Sequence, residues 1–197
     1  MLNKTSLLIF IAFILLLNVL IYLIAYYSIY PTDLIFAECA RNSGRTSALI
    51  NLILLFMIGY YGLKSIYKSE VKKNIFHILI TSFAVNHIIH LFFVSQFFKD
   101  QVMELSVLEN LHGFITFIFL IGLPILLLAY DKLNKLIYSL IILNLINVTY
   151  FISITFYSRV KPADDAYLHQ VGILIMIIAV LYMLFRVFKE NRSVNNS

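Results

Sequence analysis

Residues 74–98 read NIFHILITSFAVNHIIHLFFVSQFF. This stretch is apolar and long enough to cross a bilayer, which takes about 20 residues at the helical rise. It nevertheless carries His77, His87 and His90. An ionisable side chain at membrane depth is costly and faces a bundle interior or a polar cavity. The stretch therefore predicts a central membrane helix whose histidines look inward, with other helices around it.

The rest of the chain supplies those helices. Of its 197 residues 61% are hydrophobic and only 13% charged, with a mean hydropathy of +0.91. Soluble domains sit near half apolar and a quarter charged, so the composition predicts an all-α membrane protein: one six-helix transmembrane domain over residues 1–197. The spans are expected at about 7–30, 48–63, 74–98, 111–130, 136–157 and 166–188. The first apolar run is too long for the core of a cleaved signal and reads as a retained helix. Pro31–Asp33 and Arg159–Asp165 read as turns, and the run ECARNSGRTS (38–47) as a polar segment that either leads into the second span or already contains its start. Gly122 and Pro124 predict a kink in the fourth. Once the spans are removed, no length is left for a separate soluble domain.

Charge gives the orientation. Six spans place Lys4, Lys64, Lys68, Lys72, Lys73, Lys132, Lys135, Arg186, Lys189 and Arg192 on one side, with three acidic residues. The remaining five basic residues share the other side with seven acidic ones. Positive loops stay cytoplasmic, so both termini are expected inside. The net charge of +5 is spent on this asymmetry, and no basic stripe interleaved with aromatics suggests nucleic acid. The single Cys39 excludes an internal disulfide and a cysteine-rich metal site; pairing between chains or a spectator role remains.

The histidines carry the candidate chemistry. His87 and His90, three apart, share a helix face, and no carboxylate lies within the same span. Neutral imidazole suits haem iron, copper or zinc, so the pair could hold one centre, or one ring could ligate while the other orients it. His77, His112 and His169 lie near span ends, where hydrogen bonding inside the bundle or at headgroup level is the better account of them. Glu38, Arg41 and Arg45 fall on one face of a helix starting near Glu38. They read either as an interfacial ion pair or as a cationic site for an acidic group, such as a haem propionate, a quinone headgroup or a lipid phosphate. Asn144, Asn147, Thr149, Ser153 and Thr155 predict hydrogen bonds between helices.

ARNSGRTS (40–47), a basic loop and then NHIIHLFF (86–93) together resemble the six-span ferric-reductase-like transmembrane proteins of bacteria. That group includes the haem-binding membrane subunit of the periplasmic methionine sulfoxide reductase system. The likeness rests on Ala40, Arg41, Arg45 and Ser47, on His87, His90 and Leu91, and on SITFYSR ending at Arg159. It implies a b-type haem in an inner-membrane electron-transfer subunit, with His90 then His87 as ligands and Arg41 and Arg45 nearby. Electrons would come from quinone or a redox protein partner, since the chain has no flavin or nicotinamide domain. One departure stands out: the family opens span five with Leu-His-Arg/Lys-Leu, and this chain has Leu133-Asn134-Lys135-Leu136. On the resemblance, His112 or His169 replaces that ligand, or haem is held differently, or it has been lost. The alternative class is a non-redox integral membrane protein, a metal or solute carrier or a scaffold.

Overall fold

The computed structural model describes residues 4–29, 34–102, 106, 108–130, 132–158 and 166–195. The expected turns at 31–33 and 159–165, and with them Arg159 of the family likeness, lie outside these. The described chain forms α1 (Lys4–Ser28), α2 (Ile35–Tyr61), α3 (Leu63–Lys68), α4 (Glu70–Asp100), α5 (Leu111–Ala129), α6 (Lys135–Ser158) and α7 (Ala166–Asn195), and no strand. Six of these helices are long and apolar enough to cross a membrane, α3 being the exception. An integral membrane protein follows from these six apolar rods. Their outward residues, among them Leu16, Leu49, Ile118, Leu143 and Phe185, are large, apolar and exposed, which only a lipid surround makes favourable.

The second span differs most from expectation. It begins at Ile35, so the whole polar run 38–47 is helix, ahead even of a start within that run. The cause is a split pattern around the helix. Ile35, Cys39, Ser43, Ser47 and Asn51, each four apart, are buried, while Arg41 and Arg45 are exposed. A polar segment with one face packed inward gains enough to stay helical. Cys39 is fully buried, which removes pairing between chains. The other helices exceed or match their expected spans, and α5 runs through Pro124.

α2 is the central rod, packed against α1, α4, α6 and α7, and α4 also meets α1 and α5. The main apolar core joins Leu54, Leu55 and Ile58 of α2, Phe76, Ile80 and Phe83 of α4, Ile141 and Leu145 of α6, and Met183 of α7. Between α2 and α3 the chain turns at Gly62, whose φ of 82° is a region that other residues enter only with strain. A side chain there would also run into Glu190 and Arg186. Ser69 opens α4 by accepting Lys72 N–H, and Asn134 Oδ1 opens α6 by accepting Ile137 N–H at 2.8 Å.

Candidate functional site: a histidine cavity between four helices

The first half of α2, the second half of α4, the end of α6 and the start of α7 leave a cavity of about 370 Å³ between them. Its lining includes Arg41, Gly44, Arg45, Ser47, His87, His90, Phe97, Phe98, Phe151, Thr155, Phe156 and His169. Five of the six residues singled out from sequence thus share one cavity. The sixth, His112, does not. It is exposed on α5, where its Nε2 lies 3.1 Å from Asn147 Oδ1 and its ring packs edge-on against Phe151. Asn147 in turn donates to Thr116 Oγ1, so His112 Nε2 carries the proton and is spent as a donor. His77 is also elsewhere, 3.2 Å from Tyr67 OH at the opposite end of α4.

The hydrogen bonds behind His87 and His90 can be followed from fixed points. Ser43 O and Ile14 O are backbone carbonyls and can only accept. Asn86 Nδ2 donates to Ser43 O at 2.9 Å and to Ser47 Oγ at 2.8 Å. That fixes the amide, so Asn86 Oδ1 accepts from Asn18 Nδ2 at 2.8 Å. Asn18 Nδ2 gives its other hydrogen to Ile14 O at 2.9 Å. Three helices, α1, α4 and α2, are tied by this one buried amide pair.

The two serines then face the histidines in different roles. Ser43 Oγ donates to Cys39 O at 2.7 Å, which uses its only hydrogen. Toward His90 Nδ1, 3.0 Å away, it is left as an acceptor. His90 therefore carries its proton on Nδ1 and its lone pair on Nε2, the tautomer that ligates a metal. Ser47 Oγ accepts from Asn86 and lies 3.4 Å from His87 Nδ1, with a lone pair and a hydrogen both left for that contact, so either tautomer of His87 is accommodated. The rings lie 5.3 Å apart, tilted 37°, and both line the same cavity.

Room for the His90 ring comes from Gly44, where an added Cβ would stand 3.2 Å from His90 Cε1. At the cavity edge Glu38 holds Arg41 at 2.7 Å and Asn42 at 2.8 Å, and Asn42 Oδ1 accepts from Arg45 at 3.2 Å. The expected ion pair is thus present, but it engages only Arg41. Among the described residues Arg45 has no carboxylate partner. Opposite, His169 packs edge-on against Phe156. The cavity is aromatic and apolar over most of its wall, with cationic and imidazole groups at a few points, the usual make-up of a small-molecule site.

Asn134 lies far from this cavity. It caps the start of α6, whereas the cavity meets α6 at Phe151–Phe156, 17 or more residues on and so roughly 25 Å away at the helical rise. A histidine at 134 would not reach His90. Sequence reading singled out Ser47 only as part of the family likeness and missed Ser43, Gly44 and Asn86, although Cys39, Ser43, Ser47 and Asn51 recur every four residues and so announced a polar buried stripe. Comparison of the chain with protein-family models, with curated proteins and with solved structures gives no match.

Proposed function

We propose that this protein is a ferric-reductase-like membrane electron-transfer subunit that holds a b-type haem in the cavity beside His90. The observation carrying this reading is one cavity that gathers His87, His90, His169, Arg41 and Arg45, with Ser43 Oγ against His90 Nδ1. The donor set favours haem over a bare ion. No group of three or more His, Cys, Asp or Glu side chains suited to a metal occurs among the described residues. A bare ion needs three or four protein ligands, whereas haem brings its own equatorial nitrogens and asks the protein for one or two axial ones. The residues present therefore fit the group.

His90, with His169 on the facing helix, would hold the group. His87, on the same face of α4, would serve as a further ligand or orient the first. Arg41 and Arg45 would meet carboxylates such as propionates, and the phenylalanines would keep water from the ring faces. Bound haem would supply one-electron chemistry, tuned by ligands and burial. The chain would then be an oxidoreductase subunit fed by quinone or a redox partner. The charge asymmetry supports both termini in the cytoplasm, with the cavity toward the outer face of a bacterial inner membrane.

The test is the visible spectrum of detergent-purified protein after haem reconstitution. Bands that shift on dithionite reduction, lost in His90→Ala and kept in His77→Ala, support the reading. Equal pigment in wild type and His90→Ala removes the assignment. A colourless wild type points to a non-redox carrier or scaffold.

A further inference from the structure

At the opposite end of the bundle a second concavity of about 410 Å³ is lined by Lys64, Tyr67, Lys68, Lys73, Lys132 and Leu133. Four lysines from three segments, α3, the start of α4 and the approach to α6, thus share one groove. Like charges gathered this way repel unless an anion separates them. Glu70 takes Lys73 Nζ at 2.9 Å. Lys64 Nζ donates to the neutral Glu190 O and Asn191 Oδ1, at 3.1 and 3.2 Å, while the Glu190 carboxylate is engaged by Lys64 N–H and Tyr138 OH. Lys68 and Lys132 have no carboxylate partner among the described residues.

Lys73 is only 5% exposed and its ammonium is engaged by Glu70, whereas Lys68 and Lys132 are exposed. The first turn of α4, with the positive end of its dipole, lies on the same side. Other lysines at this end are engaged differently: Lys72 stands 4.4 Å from the Tyr61 ring.

We propose that this groove binds a phosphate group, with Lys68 and Lys132 closing on it from the two connections. Basic recesses between membrane helices suit the phosphates of anionic lipid headgroups, and Leu133 at the rim would border the acyl chains. A soluble phosphate compound presents the same chemistry. This site stands apart from the histidine cavity and does not depend on what that cavity holds.

The experiment compares thermal unfolding and retained lipid, the latter by native mass spectrometry, in nanodiscs of three kinds. These are neutral phosphatidylcholine, the same lipid with phosphatidylglycerol, and neutral discs with added pyrophosphate. Wild type should unfold several degrees higher with phosphatidylglycerol and keep one such lipid on delipidation. Lys68→Ala/Lys132→Ala should lose both effects, and Lys68→Arg/Lys132→Arg should keep them. Lys189→Ala/Arg192→Ala removes equal charge at the same end, outside the groove, and should behave as wild type. Protection by pyrophosphate alone would keep the phosphate site and assign it a soluble ligand. Equal losses in the groove and control pairs, or no protection by either anion, would overturn the proposal.

Discussion

Ser43 Oγ lies 3.0 Å from His90 Nδ1 and receives its hydrogen, because the serine's own hydrogen goes to Cys39 O at 2.7 Å. A single hydroxyl thus decides which ring nitrogen of His90 keeps a lone pair. Ser43→Ala leaves Nδ1–H without this acceptor and lets the other tautomer compete. Partners of this kind are worth about 10–100-fold in affinity. Haem titration of Ser43→Ala should show a loss of that size with the helical content unchanged; affinity equal to wild type would show that the serine does not set the tautomer.

Asn86 occupies a different position, since it touches neither the cavity's far wall nor any ligand. It joins α1 to α2 through three hydrogen bonds, two donated by Nδ2 to Ser43 O and Ser47 Oγ and one accepted by Oδ1 from Asn18. Asn86→Ala leaves Asn18 Nδ2 and Ser47 Oγ buried with a partner missing, at about 1–3 kcal/mol for each group so orphaned. Double-mutant measurements between membrane helices put such bonds near the lower figure. Unfolding in mixed micelles should show a loss of about 1–3 kcal/mol. The isotope-edited NMR spectrum of the His87 ring should shift as well, because Ser47 is then free to reorient. A stability loss with an unmoved His87 ring would restrict Asn86 to holding helices together.

The six spans were legible because hydropathy needs no neighbours to be read: residues 74–98 and 111–130 fall within or almost on α4 and α5. The start of α2 was not, since residues 38–47 are polar on average and only their division between two faces makes them helical. The site was partly legible. His87 and His90 stand out because imidazoles at membrane depth demand an explanation, and Arg41 and Arg45 share their helix face. His112 and His169 are indistinguishable in sequence, each following a loop carboxylate by a few residues. Only packing separates them, by turning one into the cavity and the other onto Asn147.

That separation gives a direct comparison. His112 is exposed and its Nε2 is bonded to Asn147, while His169 lines the cavity. His112→Ala should bind haem as wild type does, at a cost of about 1 kcal/mol or less in stability for one exposed hydrogen bond. His169→Ala should bind more weakly and shift the absorption maximum, as expected when an axial ligand changes. Haem stoichiometry and spectra of the two variants check this. The reverse ranking would move the second ligand to α5 and require His112 to leave Asn147.

The contact of α2 with α7 rests on Gly59, buried against the ring of Tyr182. An added Cβ at 59 would collide with Cδ1 and Cε1 of that ring and stand 3.0 Å from Cγ. Turning the ring about χ2 moves Cδ1 and Cε1 but leaves Cγ, fixed by χ1, at the limit of contact, so full relief needs a shift of the side chain or of the helices. Overpacking costs about 1–3 kcal/mol, set against roughly 1 kcal/mol that alanine gains over glycine in a helix. Gly59→Ala should therefore be destabilised by about 1 kcal/mol in mixed-micelle unfolding. With Tyr182→Ala the collision disappears, so the double variant should be more stable than the sum of the two single changes predicts. A coupling of about 0.5–3 kcal/mol is the range for residues in direct contact. Strict additivity would mean that the ring already moves freely toward lipid and that glycine at 59 is not required by this packing.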